Sequence, residues 1–326
     1  MIDLTKDRII DYITKNGQAS GQELFEYLGT ITSRAVRKQL KNLLDMGVLE
    51  KTGKPPKVYY AKAKKKEPLT DKVIPKELRR IIDKRYLFIS PTGQSIAGWE
   101  GFVTWCIKTN QDPVKTAKEF INTLKKYDQF RKDNLIDGMA KMKQTFGEVF
   151  VDKLFYLDFY SIERFGKTKL GQMLLYAKQS QNRNLISQLI REIRPQILQV
   201  IKEYKIDGIL FIPPTVKREV QFMKELERQL SLPITSLSVT KIKTDIAVPQ
   251  KTLTKIEDRI ENAKLTIVVD ENKIYKNILL IDDAVGSGAT INETSHQIKK
   301  RELTSGSVIG LAITGSYKGF DVISEV

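Results

Sequence analysis

The feature that most constrains the fold is a run of four apolar residues, 278–281, followed directly by the carboxylates of Asp282 and Asp283. Four consecutive apolar residues predict a strand that is buried on both faces, as in a parallel sheet covered by helices. The next seven residues lead from the acidic pair into a predicted helix. We therefore expect an α/β fold with a ligand site here, because ligands bind at the carboxyl ends of parallel strands.

The loop after the acidic pair has the composition of a phosphate site. Glycines let backbone N–H groups turn toward an anion, hydroxyls donate hydrogen bonds, and the N-terminus of the next helix adds positive potential. Carboxylates beside a phosphate are unfavourable unless they bind sugar hydroxyls or Mg²⁺, so a sugar phosphate is favoured over an isolated phosphate. The spacing fits neither the P-loop nor the dinucleotide-binding fingerprint. The candidate phosphate-binding residues are Ala284, Val285, Gly286, Ser287, Gly288, Ala289 and Thr290.

The second half of the chain alternates between short apolar runs and helical patterns, which predicts a parallel sheet. The predicted strands are 208–212, 234–239, 266–269, 278–281 and 308–314, and the predicted helices are 216–230 and 290–303. His296 falls in the last of these helices, where a surface or packing role is favoured over catalysis.

The middle of the chain, 73–205, shows mainly helical periodicity, and Pro195 is expected to break or kink a helix at 183–202. Two aromatic groups are interpreted as core packing, with a ligand or partner surface as the alternative. They are Trp99, Phe102 and Trp105 with Cys106, and the run 155–160. The middle residues themselves indicate no function.

Charge is concentrated at the N-terminus. Residues 1–66 contain 14 Lys and Arg against 7 Asp and Glu, so they carry +7 of the chain's net charge of +16. Three helical patterns followed by a hairpin at 48–61 are predicted there. The third helix, about 32–46, has an apolar stripe and a separate basic face formed by Arg34, Arg37, Lys38 and Lys41.

This order of elements resembles the winged helix-turn-helix DNA-binding domain over residues 2–62. Arginine on such a helix reads guanine in the major groove, while lysines at a hairpin tip reach backbone phosphates. The alternatives are that the basic face is only solvated or that the module docks a protein. Winged helices commonly bind as dimers, so a homodimer is expected. The candidate DNA-binding residues are Ser33, Arg34, Arg37, Lys38, Lys41, Lys54 and Lys57.

The acidic strand and its loop resemble the signature of the type I phosphoribosyltransferases. In that family the acidic pair holds the ribose hydroxyls of 5-phosphoribosyl 1-pyrophosphate (PRPP), and the loop binds its 5′-phosphate. The resemblance implies that Asp282 and Asp283 are the catalytic pair and that they meet Mg²⁺ through PRPP. Ala284 and Gly286 depart mildly from the family pattern, without abolishing phosphate binding.

A wider similarity, over 165–316, is to the ComF-like branch of that family. Its elements are a Lys-bearing helical segment, a strand ending in a Pro-containing pyrophosphate loop, and a later Pro-Gln, Leu, Arg and Asn. They match 174–178, Pro213 and Pro214, and then Pro249, Gln250, Leu253, Arg259 and Asn262. The resemblance implies pyrophosphate contacts from Pro213, Pro214, Lys217 and Arg218. Lys241 and Lys243 lie in the segment that often folds over the substrate in this family. Ordinary surface charge is the alternative interpretation of these two lysines.

The expected organisation is a winged helix-turn-helix domain at 1–62, a linker and helical region at 63–164, and a phosphoribosyltransferase-like domain at 165–326. The expected function is a DNA-binding transcriptional regulator whose second domain binds PRPP or a nucleotide, with Mg²⁺ as cofactor. An active phosphoribosyltransferase, which joins PRPP to a nucleobase-type acceptor and releases pyrophosphate, is the alternative. A nucleotide-consuming effector within a nucleic-acid complex is a further one.

Composition excludes several other classes of protein. A single cysteine rules out an intramolecular disulfide, and a single histidine argues against a His-based metal site. No apolar run approaches the ~18 residues that a membrane span needs, and the N-terminus lacks a signal-peptide pattern. The expectation is a cytoplasmic protein without a membrane partner.

Overall fold

The computed structural model describes residues 4–46, 48–63, 74–214, 218–242, 248 and 250–316. The chain divides into two units. The N-terminal unit comprises Met1–Val73 with Pro91–Gln94, and the α/β unit comprises Ile74–Ser90 with Ser95–Val326.

The N-terminal unit contains the three helices and the hairpin that the sequence predicts, together with a short extra strand. Its described strands pair antiparallel in the order β1-β3-β2. The elements are α1 (Leu4–Asn16), β1 (Gln18–Ser20), α2 (Gly21–Leu28), α3 (Ser33–Asp45), β2 (Leu49–Lys54) and β3 (Lys57–Lys62).

Local signals explain where these helices begin. Ser20 and Glu23 form the capping box that their spacing predicts, with reciprocal hydrogen bonds to each other's backbone N–H. Thr32, rather than Ser33, caps α3 by accepting from the backbone N–H of Ala35. The stripe of α3 formed by Val36, Leu40 and Leu43 is buried in the core of this unit, so its basic face is left to solvent.

The α/β unit has more elements, many of them short strands. They are α4 (Lys76–Arg85), β4 (Leu87–Ile89), β5 (Ser95–Ala97), α5 (Gly98–Lys108), α6 (Pro113–Asp128), β6 (Arg131–Lys132), β7 (Leu135–Asp137), α7 (Met139–Thr145), β8 (Lys153–Phe159), β9 (Ser161–Ile162), β10 (Gly166–Lys167), α8 (Lys169–Ser180), α9 (Arg183–Glu203), β11 (Gly208–Phe211), α10 (Phe222–Leu230), β12 (Thr235–Ser236), β13 (Val239–Lys241), α11 (Ile256–Thr266), β14 (Ile267–Val269), β15 (Ile278–Val285), α12 (Ala289–Lys300) and β16 (Val308–Gly315).

Within the described residues, seven strands form one sheet in the order β12-β11-β15-β16-β8-β7-β6. The pairs from β12 to β8 are parallel, and the pairs that add β7 and β6 are antiparallel. Alternate residues of β15 enter two apolar clusters. Ile278 and Leu280 pack with residues of α12, whereas Leu279 and Ile281 pack with residues of α8 and α9. The predicted α/β sheet with a strand buried on both faces is therefore confirmed.

The middle of the chain is mainly helical, as expected, but the expectation missed three strands between residues 131 and 159. β6, β7 and β8 come from this stretch and complete the large sheet, so the sheet crosses the expected boundary at residue 165. The cause is local: the aromatic run in β8 favours a strand. Its residues Tyr156, Phe159 and Tyr160 are buried, as the core-packing interpretation expects.

Three further expectations differ in detail. The predicted strand 234–239 is divided between β12, in the large sheet, and β13, which pairs antiparallel with β14 in a separate two-stranded sheet. The predicted helix 216–230 begins only at Phe222. Helix α9 continues through Pro195, although proline gives up the N–H that would bond to residue 191.

Ring contacts within the α/β unit confirm the packing role of the first aromatic group. Phe102 is fully buried and lies 5.8 Å from the ring of Trp99 and 5.9 Å from that of Trp105, between centroids. None of the helices in the described part of the chain is long and apolar enough to cross a membrane.

Candidate functional site

The acidic pair lies within β15, which extends four residues beyond the predicted end of the strand. Asp282 and Asp283 are both half-buried. Because successive strand residues point to opposite faces, Asp282 continues the row that packs with α12, and Asp283 continues the row that packs with α8. The backbone N–H of Asp283 donates to Oδ1 of Asp282 at 2.8 Å.

Asp283 is held by a lysine from the neighbouring helix. Nζ of Lys178, in α8, donates to Oδ2 of Asp283 at 2.5 Å. The two side chains are 21% and 18% exposed, so this ion pair is largely shielded from water. Removing one partner of such a shielded pair strongly destabilises the fold, because the other charge is left buried without a partner. The Lys-bearing segment seen in the sequence thus reaches the acidic pair.

Asp282 has an altered pKa. Burial, and next the negative charge of Asp283, raise the pKa of Asp282 to about 7, against smaller opposing effects from the N–H of Asp283 and from Lys178 and Lys241. Burial in turn lowers the pKa of Lys241, in β13, and the charge of Asp282 partly offsets that effect. Two carboxylates and two ammonium groups therefore share one site, and one of the carboxylates exchanges its proton near neutral pH.

The loop after β15 turns through Gly288, which precedes the first residue of α12. Its φ is +86°, and a Cβ there would lie 2.3 Å from Sδ of Met142, so both the backbone and its surroundings call for glycine. Gly288 brings no side chain to the N-cap position. Ser287 is buried, and its Oγ accepts from the N–H of Ala289 at 3.3 Å. The positive end of α12 thus faces this loop.

The predicted phosphate-binding residues fall into three places. Ala284 and Val285 are the last residues of β15, where they pair with Thr314 and Gly315 of β16. Gly286, Ser287 and Gly288 form the turn, and Ala289 and Thr290 begin α12.

The segment after β11 lies against the end of α8. Nη1 of Arg218 donates to the backbone oxygen of Lys178 at 2.7 Å, and the N–H of Val220 donates to Oε1 of Gln181 at 2.9 Å. Pro213 is half-buried and Pro214 exposed, directly after the strand, while Lys217 lies outside the described residues. Arg218 thus touches the residue that holds Asp283.

The remaining ComF-like matches form a network of their own. Nε of buried Arg259 donates to the backbone oxygen of Leu253 at 2.7 Å. Nε2 of Gln250 donates to the backbone oxygen of Arg259 and to Oδ1 of Asn262. Pro249 and Lys243 lie outside the described residues. These contacts fix the backbone before and within α11, so the spacing of these residues has a structural explanation.

A buried ion pair at the end of β8 was not anticipated. Nη2 of Arg131 donates to Oδ1 of Asp158 at 2.5 Å, and Asp128 accepts from both Arg131 and Arg85. Burial raises the pKa of Asp158, and the charge of Arg131 opposes that rise. Only the fold brings these four residues together, because residues 85, 128, 131 and 158 share no local motif.

The DNA-binding candidates form an exposed group in the N-terminal unit. Lys54 is opposite Lys57 in the last residue pair of the hairpin, so two cations lie at its tip. Every candidate side chain is exposed: Ser33, Arg34, Arg37, Lys38, Lys41, Lys54 and Lys57. The geometry thus provides the basic surface that the sequence pattern requires, without indicating its partner.

The acidic pair does not make a complete metal site by itself, but it fits Mg²⁺ that is shared with a substrate. Across the described ranges, no three or more His, Cys, Asp or Glu side chains come together as a metal site. Mg²⁺ is commonly held by one or two carboxylates together with substrate phosphates and water. Asp282 and Asp283 suit this arrangement, in which substrate phosphates and water supply the other ligands.

Comparison with known proteins gives little direct help. No family model and no curated protein matches the chain. A solved structure of a hypoxanthine phosphoribosyltransferase from Staphylococcus aureus is similar over 39% of this chain and 72% of its own, with 14% identity and a TM-score of 0.24. A similarity of this size shows neither the fold nor the function of the chain.

Proposed function

We propose that the chain is a DNA-binding transcriptional regulator whose α/β unit binds PRPP. The observation that carries the proposal is the sequence of groups at the carboxyl end of β15: an acidic pair, a glycine turn and the N-terminus of α12. Sugar hydroxyls need acceptors, and a phosphate needs donors and positive potential. This edge of the sheet offers both within nine residues.

Each group has a defined task in binding. Asp282 and Asp283 accept hydrogen bonds from the ribose hydroxyls, and the turn with the first residues of α12 donates to the 5′-phosphate. Mg²⁺, when bound, neutralises charge on the pyrophosphate. Lys241 supplies a further positive charge near Asp282. Lys178 holds Asp283 in position.

We assign DNA binding to the N-terminal unit. Its three helices and hairpin support the resemblance to a winged helix-turn-helix domain. Helix α3 carries four cations on its exposed face. The hairpin that follows it has two lysines at its tip. Such a surface suits a recognition helix in the major groove and a wing on the backbone. We expect the regulator to act as a homodimer.

PRPP binding is tested by calorimetric titration of the full chain in the presence of Mg²⁺. Asp283→Asn should weaken PRPP binding by about tenfold or more, because it removes a charged acceptor. The matched control is Asp258→Asn, an exposed acidic residue at the start of α11. Equal PRPP affinity in wild type and Asp283→Asn would contradict the proposal.

Regulation is tested by measuring DNA affinity with and without PRPP. A change in DNA affinity on adding PRPP must be matched by an equal change in PRPP affinity on adding DNA, since coupling is reciprocal. DNA binding that PRPP leaves unaltered would restrict the proposal to two separate binding activities.

One observation favours a second candidate, an active phosphoribosyltransferase. A pKa of about 7 for Asp282 lets this carboxylate exchange a proton at neutral pH, as acid–base catalysis requires. In that reaction an acceptor nitrogen forms a bond to C1 of the ribose while the C1–O bond to pyrophosphate breaks, and pyrophosphate leaves with the electron pair. Release of pyrophosphate from PRPP and a panel of nucleobases, lost in Asp282→Asn, would select the enzyme.

A further inference from the structure

A cavity of about 370 Å³ lies in the α/β unit, apart from the acidic pair. Its volume falls within the range of small-molecule sites. Strands β4 and β5 and helices α8 and α9 line it, and its α9 side, with Gln188 and Arg191, is open to solvent. No residue of the acidic pair or of its loop contributes to it. The residues that line it are Leu87, Ile89, Ser95, Ala97, Lys169, Gln172, Met173, Tyr176, Leu185, Gln188, Arg191 and Glu192.

The lining combines apolar walls with polar groups that have free hydrogen-bonding capacity. Leu87, Met173 and Leu185 are among the apolar residues. The polar side chains of Gln172, Tyr176, Gln188 and Arg191 make no hydrogen bond or ion pair with any residue that the structure describes. A few polar groups converging on an apolar cavity are the usual composition of a ligand site.

The charge of the cavity is positive. Nζ of Lys169 lies 2.8 Å from Oε1 of Glu192, so those two charges neutralise each other. The guanidinium of Arg191 is then the uncompensated charge in the lining. A guanidinium binds phosphate through two parallel N–H donors, more specifically than an ammonium does.

We propose that this cavity binds a nucleoside monophosphate. The base packs against Leu87, Met173 and Leu185, since a planar ring needs apolar contact on its faces. The carboxamides of Gln172 and Gln188 offer both donors and acceptors, which complement the hydrogen-bonding edge of a base. Arg191 binds the phosphate.

Helix α8 links this cavity to the acidic pair. It carries Gln172, Met173 and Tyr176 on the cavity side, and Lys178 follows two residues later, about 200° around the helix. A shift of α8 on nucleotide binding therefore changes the position of the ammonium that holds Asp283. This second step rests on the proposed function, whereas nucleotide binding itself does not.

The experiment is calorimetric titration of the full chain with GMP, AMP and UMP. Arg191→Ala should weaken mononucleotide binding by about tenfold or more, because a charge-assisted hydrogen bond to phosphate is lost. The matched control is Arg194→Ala, which removes an exposed arginine from the same helix outside the cavity. Asp283→Asn should weaken mononucleotide binding less than Arg191→Ala does, because Asp283 lies outside the cavity and acts on it only through α8.

Three results would overturn the proposal. One is the absence of binding by all three nucleotides. Another is equal weakening by Arg191→Ala and Arg194→Ala, which would indicate a general charge effect. The third is binding that Asp283→Asn abolishes and Arg191→Ala leaves unaltered, which would place the nucleotide at the acidic pair. A PRPP titration of the same samples shows separately whether the proposed function has failed, and matched unfolding midpoints verify that each variant is folded.

Discussion

An alanine at Gly288 would meet two separate penalties. The φ of +86° is unfavourable for any residue with a Cβ, and that Cβ would press on Sδ of Met142. We predict that Gly288→Ala lowers the free energy of unfolding by about 1–3 kcal/mol and weakens PRPP binding, because the start of α12 must move. Chemical denaturation and PRPP titration measure the two effects.

Gly147→Ala is the matched control for this prediction. A Cβ at Gly147 would have no atom within 4 Å, and the backbone there needs no positive φ. Combining Gly288→Ala with Met142→Ala removes the contact but keeps the unfavourable φ. Full stability in Gly288→Ala would show that the turn adapts to a side chain and does not fix the start of α12.

The raised pKa of Asp282 makes stability depend on pH in a defined direction. Between the ordinary pKa of 3.8 and about 7, the folded state holds a proton that the unfolded state has released. The stability contribution of this group therefore falls as pH rises through that window. We predict that Asp282→Asn removes this fall, so the variant resembles wild type at pH 4 and exceeds it in stability at pH 8.

Urea unfolding at a series of pH values tests this prediction. Asp258→Asn, on the surface, should keep the pH profile of the wild type. A profile for Asp282→Asn parallel to that of the wild type would mean that the pKa of Asp282 lies in its ordinary range.

At the scale of elements, Arg218 joins the segment after β11 to the end of α8. We predict that Arg218→Ala lowers the unfolding midpoint and weakens PRPP binding together, because the backbone around Lys178 loses a charged donor worth about 1.5–3 kcal/mol. A direct pyrophosphate ligand would behave differently, since its loss would weaken binding without affecting the midpoint. Thermal unfolding measured together with PRPP titration distinguishes the two roles. The control is Arg194→Ala, which removes an exposed arginine from α9.

At the scale of the whole molecule, the concentration of positive charge in residues 1–66 gives predictions for the proposed DNA binding. Arg37→Ala should weaken specific DNA binding by about 1–3 kcal/mol, whereas Lys54→Ala should weaken binding to all sequences and lower the salt slope by about one. Lys15→Ala, an exposed cation on α1, is the control. Electrophoretic mobility shifts over a range of salt concentrations measure both effects. Unaltered binding in Arg37→Ala would exclude α3 as the recognition helix.

The sequence predicted the parts of the molecule that local patterns specify. Periodicity and capping residues located the helices of the N-terminal unit, and the run 278–290 located the acidic pair and the glycine turn. The sequence did not predict contacts between residues that are far apart in the chain. Lys178 and Asp283 are 105 residues apart, and β8 was missed because its partners, β16 and β7, are decided by the fold and not by its neighbours in sequence.

The place of β16 in the sheet has a consequence for how the protein is made. This strand lies between β15 and β8, so residues 153–159 have no parallel partner until residues 308–315 have been translated. At about 5–20 residues per second, ribosomes need roughly 8–30 s to cover that interval. During this time the apolar edge of β8 is exposed to other nascent chains and to chaperones. The large sheet is therefore completed only after residues 308–315 have been translated.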